Sequence, residues 1–456
     1  MVPNYQLLTK VQRMMSKSQP ASTQLSLRSL FWCNSAPADP EGEVSILVTR
    51  RQRGRRASFH GVQHCHNPWA CPVCTAKMLT IKAAEVTQIV KAREIQGLYP
   101  KMVTYTIPHN VHETAAEVLE KLQTIKRRFN RNLRYVLRKE FPSWAGSITS
   151  LEVKYSSHFG WHWHYHVLYF MDAFDCVKFD NYQSILTAYW RLSALQTLNL
   201  DMRYATSAKP DGFDRNPVYI SPGIVKDGSY LAKEIVKYDN RKRYSRSVFE
   251  LAQSNDLRDN ALFFEFALAA RGKQRVQIGP NMRQYIDEEA LKKNLSGNNH
   301  ISTTLVCSWS AEDWCEIIDA EFGANVGGEP SIRKKLLTAA ELDGAGGVIE
   351  VCSEWGLPYP RIHSKTVTRD VETEDWLRAG FLSSAPRQLI PTGAAPAPIP
   401  RPVEADAIYT PEEWRLRQQN IADNRAASDL FGLGAAGEQV TISISGATAN
   451  RLPAAV

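Results

Sequence analysis

The sequence has no long apolar run. Hydrophobic residues are 43% of the 456 residues and charged residues 22%, values typical of a globular protein. No stretch approaches the roughly 18 consecutive apolar residues that span a bilayer, and the N-terminal segment has no continuous apolar core of a secretory signal. We therefore expect a cytoplasmic protein without membrane partners.

Cysteine is scarce and unevenly placed. Eight cysteines in a chain this long are too few for a disulfide framework. Three of them, Cys65, Cys71 and Cys74, lie close together, and a Cys-x-x-Cys turn lets two thiolates reach one ion. We predict a structural zinc site completed by Cys33, with His64 or His66 as alternative fourth ligands.

Two other interpretations of this cluster exist. The cysteines could be reduced thiols without a ligand, or Cys71 and Cys74 could be a redox pair. No strand leads into the Cys-x-x-Cys pair as a thioredoxin-like unit requires, and a third cysteine stands six residues upstream. Both observations favour zinc.

Acidic residues are outnumbered by basic ones. The formal net charge is +8 and the sequence pI is about 9.0, which favours a polyanionic partner such as nucleic acid. The charges concentrate in residues 50–56 and residues 126–134, the second run on a predicted helix. Both runs suit contacts with phosphate groups.

The sequence contains no internal repeat, and strand and helix patterns alternate along its first half. Alternating apolar residues predict strands over residues 101–108, 147–155 and 161–170. Helical spacing predicts helices over residues 76–97, 112–140, 180–198 and 230–238, and weaker ones over 312–322 and 332–342. We expect an α+β fold with a central antiparallel sheet, flanking helices and an N-terminal zinc-binding segment.

These patterns divide the chain into five parts. We predict a flexible N-terminus (1–24), the cysteine cluster and basic segment (25–95), a catalytic domain (96–290), an accessory region of unknown role (300–384), and a Pro/Ala-rich linker with a largely disordered tail (385–456).

Three histidines alternate along one predicted strand. His162, His164 and His166 share a face because alternate side chains of a strand project together. Two imidazoles at this spacing can chelate a divalent ion, and any two of the three could serve. Glu152, on the partner strand of the predicted hairpin, is the candidate carboxylate ligand; alternatively it is an exposed residue paired with Lys154.

A tyrosine-containing helix is the second candidate site. Tyr230, Glu234 and Tyr238 follow at i, i+4 spacing and so lie along one stripe. A tyrosine that attacks a phosphodiester needs a metal ion to polarise the phosphate and a base or nearby cation to favour the phenolate. Lys233 and Lys237 could provide the cation. Glu234 could activate water or accept a proton. The alternative is an amphipathic helix with tyrosines at its edge.

Together these segments resemble the rolling-circle plasmid replication initiators of the HUH endonuclease superfamily, in the branch with an N-terminal cysteine cluster. The resemblance covers about residues 24–281. It is carried by the Cys65–Cys74 region with Cys33, by residues 104–108, by Glu152 and residues 161–168, by residues 234–238, and by the basic residues 269–276. Trp163 departs from the family pattern, which often has proline between the first two histidines, so the resemblance does not assign a role to His162.

The resemblance implies a ferredoxin- or RRM-like palm and a site-specific, metal-dependent endonuclease and strand transferase. It implies that His164 and His166 bind Mn²⁺ or Mg²⁺, that Tyr238 is the nucleophile, and that Glu234 directs water in the terminating cleavage. Tyr230, with Lys233, is the alternative nucleophile.

The implied partners are a plasmid or phage origin, single-stranded at the nick, and a host helicase and polymerase. Alternatives are a conjugative relaxase or single-strand transposase with the same chemistry, or a non-catalytic zinc-dependent DNA-binding protein.

Overall fold

A computed structural model describes residues 4–18, 21–51, 54–198, 217–221, 245–291, 300–323 and 330–367. The helices are α1 Tyr5–Ser18, α2 Ala21–Ser26, α3 Arg28–Phe31, α4 Pro72–Ile95, α5 Ala115–Glu140, α6 Ala173–Asp180, α7 Gln183–Leu198, α8 Val248–Gln253, α9 Leu257–Ala269, α10 Pro280–Arg283, α11 Ala311–Gly323, α12 Ile332–Asp343 and α13 Ala345–Trp355. The strands are β1 Glu43–Arg51, β2 Gly54–His60, β3 Leu98–Thr106, β4 Gly146–Ser156, β5 Gly160–Asp172, β6 Val218–Ile220, β7 Val276–Ile278, β8 His300–Ser310 and β9 Arg361–Val367.

The central sheet has the strand order β6-β3-β5-β4-β7, and its neighbouring strands are antiparallel. The α+β class and the antiparallel sheet with flanking helices are thus confirmed. The predicted β4–β5 hairpin forms with Glu152 directly opposite His164. Residues opposite each other in an antiparallel pair project from the same face, so the register places this carboxylate beside the histidines.

Each face of the central sheet is covered differently. On one face, Phe129 of α5 and Trp190 of α7 pack against Tyr105, with ring centroids 5.1 and 4.9 Å away. We call this the aromatic face. On the other, the histidine face, apolar residues of α4 pack against Leu168 and Phe170. Because α4 covers the Leu168–Phe170 half of β5, the half bearing His164 and His166 is left for polar side chains.

Helix α5 shows why the predicted boundaries were close to the observed ones. Its N-cap Thr114 and Glu117 form a reciprocal capping box, which satisfies backbone N–H groups of the first turn. Its apolar residues recur on the side that faces the sheet. Pro142 follows the last turn and prevents the helix from continuing.

A second sheet has the order β2-β1-β8-β9 and joins the two ends of the described chain. Strand β8 pairs antiparallel with β1 from Glu43–Ser310 to Arg51–His300. The described part of the expected accessory region therefore does not form a separate unit. Local hydrophobic patterns identify strands but carry no information about such a distant partner.

The N-terminus also differs from the expected flexible segment. Leu8 and Val11 of α1 are fully buried, and Gln12 accepts a hydrogen bond from the buried Arg333 guanidinium at 2.8 Å. Arg333 also pairs with Glu321 at 2.5 Å. These partners compensate the buried charge of Arg333. They lie on α1 and α11, so the network connects these two helices to α12.

No helix among the described residues is both long and apolar enough to cross a bilayer. The expected linker and tail, residues 385–456, lie outside the described residues, as do residues 368–384 of the accessory region.

Candidate metal centres

Glu152, His164 and His166 meet on the histidine face of the central sheet. Nε2 of His164 lies 3.1 Å and Nε2 of His166 3.0 Å from Oε2 of Glu152, and the two nitrogens are 3.1 Å apart. Three donor atoms at such mutual distances can bind one divalent ion. We call these residues the Glu–His–His group.

Thr104 orients one of these imidazoles. The Thr104 hydroxyl lies 2.9 Å from Nδ1 of His166, on the neighbouring strand β5. When Nε2 binds an ion, Nδ1 carries the proton and donates to the Thr104 oxygen. By contrast, Nδ1 of His164 is buried without a hydrogen-bond partner among the described residues.

The protonation states within the group favour cation binding. Burial is the main factor that lowers the pKa of His164, so the imidazole is neutral near pH 7. Burial alone would raise the pKa of Glu152, but the hydrogen bonds with His164 and His166 outweigh it and hold the pKa well below its usual range. Lys154 Nζ lies 3.6 Å from the other carboxylate oxygen. A carboxylate beside a neutral imidazole is the state that metal binding requires.

His162 shares the face but does not join the group. Its Nδ1 lies 2.8 Å from Nε2 of His109, and Nδ1 of His109 lies 2.8 Å from the Phe159 carbonyl oxygen. A carbonyl only accepts hydrogen bonds, so Nδ1 of His109 donates to it, and Nε2 of His109 accepts from His162. His109 was not identified from the sequence, although it directly follows the predicted strand 101–108 and Pro108.

Gly160 brings the His109 loop against β5. Its φ of +75° is in the left-handed region, which favours glycine. A Cβ atom here would lie 2.5 Å from the Asn110 carbonyl oxygen. Glycine at the start of β5 therefore permits the close approach that pairs His109 with His162.

Four cysteines, which we call the four-cysteine group, lie together near the N-terminus of α4. The Sγ atom of Cys33 lies 3.6 Å from that of Cys71 and 3.4 Å from that of Cys74, and the Cys65 and Cys74 sulfurs are 3.6 Å apart. Four sulfurs so close together could bind zinc tetrahedrally. Of the candidate fourth ligands, the structure places Cys33 in the group rather than His64 or His66.

The polypeptide around the four-cysteine group supplies hydrogen bonds to sulfur. Backbone N–H groups of Cys65, Asn67 and Cys74 donate to Cys33, Cys65 and Cys71, at 3.3 to 3.4 Å. Burial raises the pKa of Cys65 and Cys74. A divalent cation would offset this cost and hold the thiolates.

The segment between Cys65 and Cys71 packs against the aromatic face. Trp69 lies with its ring centroid 5.7 Å from that of Trp163, on β5, and its indole N–H donates to the Lys273 carbonyl oxygen at 2.7 Å. Arg275 lies 5.1 Å from the Trp69 ring. The basic segment 269–276 thus contacts the cysteine segment.

Tyr230, Glu234, Lys237 and Tyr238 lie outside the described residues, so their predicted roles stay predictions. Comparisons with protein-family models, curated proteins and solved structures gave no match for this chain. Interpretation of the two groups therefore rests on their own chemistry.

Proposed function

We propose that this protein is a metal-dependent endonuclease that nicks one DNA strand at an origin and starts rolling-circle replication of a small DNA circle. The observation that supports this most is the Glu–His–His group, with three donor atoms within 3.1 Å of one another. Two imidazoles and a carboxylate can hold a divalent ion and leave positions open for phosphoryl oxygens, and the family resemblance implies that this ion is Mn²⁺ or Mg²⁺. Such an ion would polarise the scissile phosphodiester.

In this proposal Tyr238 is the nucleophile. Its phenolate oxygen bonds to phosphorus, the bond to the 3′ oxygen breaks, and that oxygen takes up a proton to become the 3′ hydroxyl that primes synthesis. The 5′ phosphate stays on Tyr238 as a phosphotyrosine. Lys237 favours the phenolate through its charge. Glu234 takes a proton from water, or from a second attacking hydroxyl, when replication ends.

A conjugative relaxase or a single-strand transposase would use the same chemistry, and sequencing the attached strand would distinguish these from a replication initiator.

A covalent-adduct assay tests the proposal. Purified protein is incubated with Mn²⁺ or Mg²⁺ and a labelled random-sequence pool of single-stranded oligonucleotides, and adducts are separated under denaturing conditions. We expect an adduct that is lost in Tyr238→Phe and in His164→Ala. Tyr230→Phe and His112→Ala, an exposed histidine outside the group, are the matched controls.

Peptide mapping of the modified tyrosine completes the test. An adduct on Tyr230 would contradict the assigned nucleophile. A metal-independent adduct would contradict the role of the Glu–His–His group.

The four-cysteine group favours a second candidate, a non-catalytic zinc-dependent DNA-binding protein. It predicts DNA binding that survives His164→Ala with His166→Ala, and no adduct under any condition.

A further inference from the structure

A basic groove lies between α5 and α7. Its volume is about 490 Å³, and its lining consists of Thr124, Arg127, Arg128, Arg131, Gln196 and Thr197. Arg127 and Arg131 are exposed, whereas Arg128 is half-buried. No acidic residue is among these described lining residues, so this described part of the groove surface is positive.

The arginines of the groove are available to an anionic ligand. The Arg127 guanidinium donates to the neutral Thr124 hydroxyl at 3.0 Å, and Nη1 of Arg128 is buried without a hydrogen-bond partner among the residues that the structure describes. Within the described part of the chain, no carboxylate pairs with any of the three arginines. The exposed guanidinium groups of Arg127 and Arg131 can therefore donate to phosphate oxygens.

Not all of the basic run 126–134 faces this groove. Lys126 points to the sheet instead, with Nζ 3.6 Å from the centroid of the Tyr165 ring, and burial lowers its pKa to about 7. Lys126 therefore lies away from the groove, although it belongs to the basic run that suits phosphate contacts. Of the basic run, Arg127, Arg128 and Arg131 line the groove.

The composition of the lining indicates which nucleic acid fits. Sites for single strands combine cations with aromatic side chains on which bases stack, but the described lining contains no aromatic residue. Arg127 and Arg131 are one helical turn apart, a rise of about 6 Å, which spans roughly two nucleotides at ~3.4 Å each along a duplex.

We infer that this groove binds the phosphate backbone of duplex DNA without regard to its sequence. The groove lies on the aromatic side of the central sheet, opposite the Glu–His–His group, because α5 and α7 pack on Tyr105. Duplex binding here is a separate activity that does not depend on nicking. The groove would hold the duplex on the aromatic side of the central sheet, and the histidine face would stay free for a single strand.

The salt dependence of binding tests this inference. Arg127→Gln with Arg131→Gln removes two exposed cations from the groove; Arg28→Gln with Lys91→Gln removes two exposed cations elsewhere. Binding of a labelled random-sequence duplex, and of a single strand of equal length, is followed by fluorescence anisotropy over a range of salt concentrations. The slope of log K against log salt is negative, and each lost phosphate contact reduces its magnitude by about 0.9.

We expect the groove variant to reduce the magnitude of the slope for duplex binding by about 1.8, since two contacts are lost. The control pair should leave the slope unchanged, and single-strand binding should weaken less than duplex binding. His164→Ala should bind duplex normally, which separates this inference from the proposed nicking activity.

The inference would be overturned by an unchanged slope in the groove variant, by an equal loss of duplex affinity in the control pair, or by an equal loss of affinity for single strands.

It would also be overturned if the groove variant bound duplex normally but no longer co-sedimented with phosphatidylserine vesicles. That result would assign the groove to an anionic membrane surface.

Discussion

Oε2 of Glu152 lies 3.0 Å from Nε2 of His166, although the two residues sit on different strands and are not direct partners in the β4–β5 register. Glu152 is opposite His164, and His166 is opposite Ser150. The carboxylate thus contacts the imidazole of His164 directly across the strand pair and that of His166 diagonally. One carboxylate oxygen therefore brings the three candidate ligands together.

Removing the hydroxyl of Thr104 should weaken divalent-ion binding without removing a ligand. Thr104→Val leaves Nδ1 of His166 without its 2.9 Å partner, and loss of such an outer contact typically costs about 10- to 100-fold in metal affinity. Thr104→Ser should restore most of the affinity. Isothermal titration calorimetry with Mn²⁺ measures both; equal affinity in Val and Ser variants would exclude this orienting role.

Without added divalent ions, stability should fall as the pH drops below about 6.5. His162 and His164 have folded-state pKa values below the ordinary 6.5, so the unfolded chain binds protons that the folded chain does not. Glu152 acts in the same direction below pH 4.5, because its pKa is also lowered. Urea unfolding across this range measures the slope. The double variant His162→Gln with His164→Gln should have a shallower slope between pH 6.5 and 5, and an unchanged slope would contradict the assignment.

Cys71→Ser should remove zinc and destabilise the protein. A structural zinc site contributes binding free energy directly to folding, and Cys71 is fully buried within the four-cysteine group. We expect about one zinc per chain in the wild type and a large loss in the variant, with a clearly lower melting temperature. Cys315→Ser, at an exposed cysteine, is the control. Metal analysis that finds no zinc in the purified wild type would contradict the site.

Gly160→Ala should disturb the His109–His162 pair. The variant imposes a left-handed φ on alanine and puts its Cβ 2.5 Å from the Asn110 oxygen. Gly356→Ala is a matched control, because its φ is +60° but no atom lies within 4 Å. The control should cost about 1 kcal/mol of unfolding free energy from backbone strain alone. Gly160→Ala should cost more, and equal losses would show that the contact with Asn110 is unimportant.

The sequence predicted the local elements and much of the site for clear physical reasons. Alternation on β5 placed His164 and His166 on one face, and the short turn before Gly160 placed Glu152 on the partner strand. The cysteine spacing likewise indicated a shared ion, although the fourth ligand stayed open. Each of these inferences depends on a short stretch of chain or on a single hairpin.

Long-range contacts could not be read in the same way. The pairing of β1 with β8 brings together Thr49 and Thr303, which are 254 positions apart. Arg333 reads as an ordinary surface arginine on an amphipathic helix until its contacts with Glu321 and Gln12 are known. The contact of His109 with His162 could not be predicted, because it forms only when the loop that contains His109 packs against β5. No local periodicity encodes any of these contacts.

The most direct test of the account is the position of a bound ion. Crystals of the protein soaked in Mn²⁺ and measured near the manganese absorption edge would show it by anomalous scattering. We predict an anomalous peak in contact with Nε2 of His164, Nε2 of His166 and Oε2 of Glu152, which is lost in His164→Ala. A peak between His109 and His162, or no peak on the histidine face of the sheet, would contradict the assignment of the Glu–His–His group as the catalytic metal site.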